Sequence, residues 1–155
     1  MDTVQIRRAG PEDLAAIVRI EQACFSVPWS ETLVRSGLEK RTDRFYLAVQ
    51  GKEAAGYMGV NQVLDECYLY NLAVLPEFRR RGIARALLSF ACDDAFRRGA
   101  AFVSLGVRPS NRTAIGLYEQ LGFQKIGERK NFYSSPREDA LIMTRFRNGK
   151  EEPVG

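Results

Sequence analysis

The first candidate for chemistry is a run of three arginines followed by a glycine, at residues 79–84 (RRRGIA). It follows an apolar, β-prone segment and opens a segment with helical periodicity that runs to about residue 96. A strand, a glycine turn and a helix N-terminus together form an anion site, because unpaired backbone N–H groups point outward there. Arginines beside such a turn bind phosphate oxygens in a bidentate way. The segment is therefore typical of a phosphate-binding turn, although a solvated basic turn before an ordinary helix has the same composition.

The bulk composition describes one globular domain with a moderate positive charge. The chain has 155 residues, a hydrophobic content of 45% and a formal net charge of +4. This balance weakly favours an acidic or phosphate-bearing partner. No nucleic-acid partner is expected, since no interleaved aromatic and basic pattern accompanies the charge. We expect residues 1–147 to form the domain and residues 148–155 to be a disordered tail.

The sequence also argues against several kinds of site. It has no histidine, and its cysteines (Cys24, Cys67 and Cys92) are far apart, so neither a metal site nor a disulfide framework is expected. Free cysteines are typical of a reducing compartment. No apolar run reaches the length of a membrane span, and the N-terminus does not resemble a signal peptide. We expect a cytoplasmic protein with no membrane partner.

Hydrophobic periodicity predicts the order β-α-α-β-β-β-α-β-α-β-β. The predicted segments are a strand at 4–8, a helix from Pro11, a short helix capped by Ser30, a hairpin at 45–63, a strand at 67–74, a helix at 82–98, an apolar strand at 101–107, a short helix at 111–120 and strands at 123–126 and 140–146 joined by a polar loop. This order predicts an α/β (mixed α+β) fold, in which a mixed sheet is covered by helices.

Several motifs in this order resemble the GNAT superfamily of acyl-CoA-dependent N-acyltransferases. The family's phosphate motif, Gln/Arg-x-x-Gly-x-Gly/Ala, is matched by Arg79, Gly82 and Ala84. Over nearly the whole chain the sequence is similar to the ribosomal-protein N-terminal alanine acetyltransferases (RimI). That likeness rests on VPWSE (27–31), LDE (64–66), NLAV (71–74), VRPSN (107–111), LYE (117–119), LGF (121–123), NFY (131–133) and REDA (137–140).

The resemblance implies a GNAT fold and acetyl-CoA as the acyl donor, with no metal. The implied sheet is mostly antiparallel, with about seven strands and four helices, and it is splayed between its fourth and fifth strands. A bulge in the strand that ends at Val74 would open this gap, and the pantetheine arm would pair with the exposed backbone there as an added strand does. The implied cofactor-binding residues are Leu72, Ala73, Val74, Arg79, Arg80, Arg81, Gly82, Ile83, Ala84, Arg85, Asn111 and Tyr118.

Two of these residues have specific roles in the family. Asn111 resembles the asparagine that hydrogen-bonds the cofactor arm, although a plain helix N-cap would also place an asparagine there. Tyr118 follows it by seven residues, as the family's general acid does. A phenol within about 3 Å of the coenzyme A sulfur protonates that sulfur as the C–S bond breaks. The alternative for Tyr118 is a core tyrosine packed on its own helix.

The sequence departs from the family at the position of the catalytic base. The similar enzymes place a glutamate base five residues before the asparagine, and that position here is Gly106. Three replacements stay open. Glu66 and Tyr68 lie on one face of the predicted strand, and Tyr68 matches a position where other family members keep a base or a water-holding tyrosine. The third possibility is that water takes the proton without a dedicated side chain.

The expected substrate is the N-terminal amine of a protein, a ribosomal protein in the similar enzymes. Trp29 and Tyr133 lie in segments that form the walls of the family's peptide groove, so both are expected to bind substrate, although Trp29 could equally anchor a loop. Two other functions stay open at this point. One is acetylation of a lysine or a small amine, and the other, suggested by Gly106, is a non-catalytic acyl-CoA-binding module.

Overall fold

The computed structural model describes residues 3–134 and 136–149, and it confirms the predicted order of elements. The strands are β1 Val4–Arg8, β2 Asp43–Gln50, β3 Glu53–Val63, β4 Glu66–Val74, β5 Phe102–Val107, β6 Gln124–Tyr133 and β7 Glu138–Phe146. The α-helices are α1 Leu14–Cys24, α2 Glu31–Glu39, α3 Ile83–Arg97 and α4 Arg112–Gln120. Of the tail expected at residues 148–155, residues 150–155 lie outside the described part.

All seven strands form one sheet in the order β1-β2-β3-β4-β5-β7-β6. The β4–β5 pair is parallel, and the other neighbouring pairs are antiparallel. The predicted fold class, a mixed and mostly antiparallel sheet with four helices, is confirmed. The parallel pair is joined through α3, as the crossover rule requires.

The sheet opens between β4 and β5. These two strands pair only where Glu66–Tyr68 lies beside Phe102–Ser104. Beyond that point β5 continues its pairing with β7 alone, as far as Val107, and β4 continues with β3 alone, as far as Val74. The expected splay between the fourth and fifth strands is therefore present, and it leaves one backbone edge of each strand facing a gap.

A bulge in β4 accompanies the opening. The register with β3 shifts between the pairs Gly59–Asn71 and Val60–Leu69, so that Tyr70 is the extra residue. Gly59 makes room for the Tyr70 ring, because a Cβ atom at this position would lie 2.5 Å from a ring carbon. The expected bulge is thus found two residues before Leu72, where it bends β4 away from β5.

The structure differs from the prediction in the region after residue 126. We expected a strand at 123–126 and then a polar loop, but β6 runs from Gln124 to Tyr133. Its sequence, QKIGERKNFY, is highly charged and does not alternate, because β6 is an edge strand whose residues are mostly exposed. Register shifts and a positive φ of 53° at Asn131 make the pairing with β7 irregular.

The core contains a buried carboxylate, Asp94 on α3, which is only 2% exposed. It accepts hydrogen bonds from Tyr46 Oη (2.5 Å), Arg98 Nε (3.1 Å) and Arg97, while Arg44 Nε lies 3.5 Å away. Burial alone would raise the pKa of Asp94, but the hydrogen bonds from Tyr46, Arg97 and Arg98 outweigh it and lower that pKa. Asp94 therefore connects α3 to the middle of the sheet as an ion.

Replacing Asp94 should destabilise the fold far more than replacing its neighbour. Asp94→Ala removes the acceptor of the buried Tyr46 hydroxyl and the carboxylate that balances the buried charge of Arg44, which keeps its hydrogen bonds to Tyr46 and Gln62. We therefore expect the free energy of unfolding to fall by about 3–5 kcal/mol. The matched control is Asp93→Ala, one residue away and exposed, which should change it by less than about 0.5 kcal/mol. Urea unfolding followed by circular dichroism measures both values.

The difference between the wild type and Asp94→Ala should also depend on pH. Because folding lowers the pKa of Asp94, its contribution is complete above the unfolded value of about 4 and is lost as the pH falls through the folded value. Equal destabilisation by the Asp93 and Asp94 variants at neutral pH would contradict a structural role for this ion.

Candidate functional site

An open cleft of about 730 Å³ lies beside the unpaired end of β4. The end of α1, the second half of β4, the start of α3 and the N-terminal part of α4 meet there. Of the predicted cofactor-binding residues, all but Arg81 line this cleft; these are Leu72, Ala73, Val74, Arg79, Arg80, Gly82, Ile83, Ala84, Arg85, Asn111 and Tyr118. Residues that are far apart in the sequence are thus brought together by the opening of the sheet.

The turn before α3 has the geometry of an anion site. Gly82 caps the helix in the left-handed conformation (φ 76°), and Arg80 also has a positive φ of 65°, which is uncommon outside glycine. The first intrahelical bond runs from the Ala86 amide to the Gly82 carbonyl at 3.0 Å. The amides just before it consequently have no acceptor within the helix, and the helix dipole points at the same spot. This cradle suits a phosphate or diphosphate.

Two of the arginines in this turn are held by the protein itself. Arg79 donates from Nε to the Val74 carbonyl at 3.0 Å, and the Cys24 thiol lies 3.4 Å from the same oxygen. Arg81 turns away from the cleft, where its guanidinium bonds Gln50 at 3.3 Å and lies 5.3 Å from the centre of the Phe78 ring. A role of Arg81 toward the cofactor would have to come from its main chain.

Asn111 is the N-cap of α4. Its side-chain oxygen accepts from the Ala114 amide at 3.2 Å, so the capping role is present. Its side-chain NH₂ group donates to no described residue, and the residue also lines the cleft. Capping therefore leaves the donor end of the amide for a ligand.

Tyr118 lies on the same helix, in the wall of the cleft and against Phe123, whose ring centre is 5.8 Å away. Burial, with a smaller contribution from the nearby Tyr133, raises the pKa of Tyr118 to about 12. The phenol is therefore protonated at neutral pH, which is the state that a general acid needs.

The structure separates the two side chains considered as replacement bases, Glu66 and Tyr68, from Gly106, the position that lacks the glutamate. Tyr68 and Glu66 share an exposed face of β4, and the Tyr68 hydroxyl donates to Glu66 at 2.6 Å. This hydrogen bond, together with partial burial, raises the pKa of Tyr68. Glu66 pairs with Phe102 and Tyr68 with Ser104, on the paired side of the opening, while Gly106 lies beside the gap.

The structure places one buried group beside Trp29 that sequence analysis missed. Trp29 stacks on Tyr70 with ring centres 5.3 Å apart, and its backbone amide donates to Glu21 at 2.7 Å. Glu21 is 1% exposed and also accepts from Tyr57 and from Asn71 (2.9 Å). Glu21 thus fixes both the loop that carries Trp29 and the strand at the edge of the cleft.

The position of Glu21 in the sequence offered a signal for this role. It follows Ile17 by four residues and Val18 by three, so it continues the apolar stripe of α1. A carboxylate on a buried stripe needs partners, and it finds them in the sheet. Tyr133, the other predicted substrate residue, is half-buried at the end of β6, with the Arg108 guanidinium 4.3 Å from the centre of its ring.

Residues 14–123 match the model of the acetyltransferase (GNAT) family. The chain belongs to this family. Its sequence is 44% identical to the [ribosomal protein bS18]-alanine N-acetyltransferase of Escherichia coli K12, over 84% of this chain and 89% of that protein. A protein of Bacillus subtilis, named as a putative enzyme of the same kind, is 34% identical over 89% of this chain and 92% of its own length.

Solved GNAT structures agree with the fold described above. The crystal structure of the ribosomal-protein-S18-alanine N-acetyltransferase from Escherichia coli superposes with a TM-score of 0.88 and 36% identity, covering 99% of each chain. Arabidopsis thaliana NAA60 in complex with acetyl-CoA shares the fold at 22% identity, with a TM-score of 0.84, over 94% of this chain and 99% of its own.

The described residues contain no cluster of three or more His, Cys, Asp or Glu side chains that could hold a metal ion, and none of the helices they form is long and apolar enough to cross a membrane.

Tyr118→Phe isolates the contribution of one hydroxyl. The ring and its packing on Phe123 are kept, so acetyl-CoA affinity should change by less than about twofold, whereas turnover should fall by about 100-fold because the thiolate loses its proton donor. Steady-state kinetics and calorimetry measure the two quantities. Turnover equal to that of the wild type would remove Tyr118 from the mechanism.

Proposed function

We propose that this protein transfers an acetyl group from acetyl-CoA to the N-terminal amine of a protein, with the N-terminal alanine of ribosomal protein bS18 as acceptor, in the cytoplasm. The observation that carries the proposal is the 44% identity, over 84% of the chain, with an enzyme named for that reaction. The arrangement of the cleft supports it, because the anion cradle, the open strand edge and Tyr118 lie along one path.

The shape and lining of the cleft indicate how acetyl-CoA, the acyl donor, would bind. The amides of the turn at residues 80–85 would bind the diphosphate of acetyl-CoA, and the open edge of β4 beside Leu72 and Val74 would pair with the pantetheine arm. The side-chain NH₂ of Asn111 would hold that arm from the opposite wall. The acetyl thioester would then reach the bulge at Tyr70, where the cleft meets the groove beside Trp29.

Direct transfer needs no covalent enzyme intermediate, and the state of the cysteines agrees with this. Burial raises the pKa of Cys67 to about 11 and that of Cys92 to about 12, and it also raises the pKa of Cys24. A thiol acts as a nucleophile only as its thiolate. None of the three is therefore prepared to accept the acetyl group at neutral pH.

The absence of a carboxylate at Gly106 favours an acceptor that gives up its proton easily. An α-amino group with a pKa near 7.8 costs about 1.1 kcal/mol to deprotonate at pH 7, whereas a lysine near 10.4 costs about 4.6 kcal/mol. A general base contributes roughly 10²–10⁴-fold, which is comparable to that difference. An enzyme without the glutamate can therefore acetylate an N-terminus, but acetylates a lysine poorly.

The decisive test compares a peptide whose free N-terminal amine is the acceptor with one whose acceptor is a lysine side chain. One begins with a free alanine followed by the bS18 N-terminal sequence, and the other is acetylated at its N-terminus and carries a lysine at the second position. Coenzyme A release should give a kcat/KM at least 100-fold higher for the first peptide, in line with the difference in deprotonation.

Other results would contradict the proposal in distinct ways. A preference for the lysine peptide would identify a lysine acetyltransferase. Turnover confined to small amines would identify an enzyme of another substrate class. Tight acetyl-CoA binding without turnover of any amine would leave a binding module.

A further inference from the structure

Gly106 leaves a space, and one polar atom from another element lies over it. A Cβ atom built on Gly106 would have as its three nearest neighbours the Tyr133 hydroxyl at 3.7 Å, Ala140 Cβ at 3.8 Å and Ile142 Cδ1 at 3.9 Å. These are ordinary van der Waals distances, so a larger side chain at residue 106 would not clash at its Cβ atom. The hydroxyl of Tyr133 thus lies 3.7 Å from the point where the side chain of the family's glutamate would begin.

Tyr133 is held firmly in this position. Arg108 lies against its ring, and the same guanidinium donates to the carbonyls of Pro136 (2.8 Å) and Ser134 (3.2 Å) in the β6–β7 connection. Phe132 packs against the ring edge-on, with centres 5.0 Å apart. The hydroxyl itself makes no hydrogen bond to any residue that the structure describes. A fixed phenol whose polar end has no partner among the described residues is suited to binding a water molecule or a substrate.

Tyr133 also lies near the proposed acid, since its proximity contributes to the raised pKa of Tyr118. The pKa of Tyr133 is itself raised by burial, so its phenol is neutral at pH 7 and does not act as a charged base. A neutral hydroxyl can still accept one hydrogen bond while it donates another, which is what holding a water molecule requires.

Neither of the other candidates covers Gly106 in this way. Glu66 lies beside Phe102, four residues before Gly106 on β5 and so about 13 Å along the strand. Tyr68 lies beside Ser104, about 7 Å short of Gly106, and its hydroxyl is engaged by Glu66. Among the described residues other than Gly106 and its two chain neighbours, Tyr133 supplies the polar atom nearest to this place, its hydroxyl.

We propose that Tyr133 is a positioning residue that replaces the missing glutamate, by holding over Gly106 the water molecule that takes the proton from the attacking amine. This inference rests on the proposed function. As the C–N bond forms and the C–S bond breaks, the nitrogen loses its proton to this water and then to solvent. Tyr118 protonates the departing thiolate and recovers its proton from solvent. Tyr133 is neutral before and after.

The test is a set of variants assayed with the N-terminal alanine peptide. Tyr133→Phe should lower kcat by tenfold or more while the peptide KM changes less than threefold, because the water is lost and the ring remains. Adding Gly106→Glu to this variant should restore kcat to within about threefold of the wild type. Its matched control, Gly106→Gln in the same background, has nearly the same size but no basic group and should restore nothing.

Two further measurements test the role of Tyr133 even if the double variants fold poorly. Imidazole in the buffer should accelerate Tyr133→Phe more than it accelerates the wild type, since a small base can replace the water. Acetyl-CoA affinity should be equal in the wild type and Tyr133→Phe.

The outcomes separate this inference from the function on which it rests. A Tyr133→Phe variant that changes only KM would show that Tyr133 merely binds the peptide, and a larger loss of kcat in Tyr68→Phe would move the role to β4. Either result overturns the inference and leaves the proposed function intact. If the wild-type protein acetylates no N-terminal peptide, both fail together.

Discussion

The structure depends on a parallel strand pair that ends early. The pairing of β4 with β5 stops after Tyr68 and Ser104, because the bulge at Tyr70 bends β4 aside. Where two interior strands stop pairing, their backbone N–H and C=O groups face the gap and need other partners. In this fold those groups face a cleft whose other end is the N-terminus of α3. The gap in the sheet is therefore the proposed binding site, and the elements around it keep it open.

Two buried carboxylates connect helices to the strands on the β4 side of that opening. Glu21 on α1 binds Tyr57 on β3 and Asn71 on β4, while Asp94 on α3 binds Tyr46 on β2 and approaches Arg44. Removing a charge from water is unfavourable unless several donors replace the water. Each carboxylate has such donors, and no buried side-chain nitrogen or oxygen of the described residues is left without a partner. The Glu21 network fixes β4, the strand whose edge the proposed donor would use.

Most of the fold and part of the candidate site could be predicted from the sequence. Elements with strong periodicity, such as α3 and β5, and cap residues, such as Ser30, depend on local physics and were predicted nearly to the residue. The extent of β6 was not, because an exposed edge strand has no apolar face to reveal it. The arginine turn was recognised from its own residues. The partners of Glu21, and the approach of Tyr133 to Gly106, depend on which strands become neighbours, and periodicity does not contain that information.

The central claim is that main-chain amides before α3 bind a diphosphate while the edge of β4 holds the rest of an acyl-CoA. A calorimetric titration of the purified protein with acetyl-CoA, compared with S-acetylpantetheine, tests it most directly. We expect acetyl-CoA to bind with a dissociation constant on the order of 1–100 µM, in the usual range for enzyme substrates, and the fragment without a diphosphate to bind at least 100-fold more weakly. No heat of binding with millimolar acetyl-CoA, or equal affinity for the two ligands, would contradict the account.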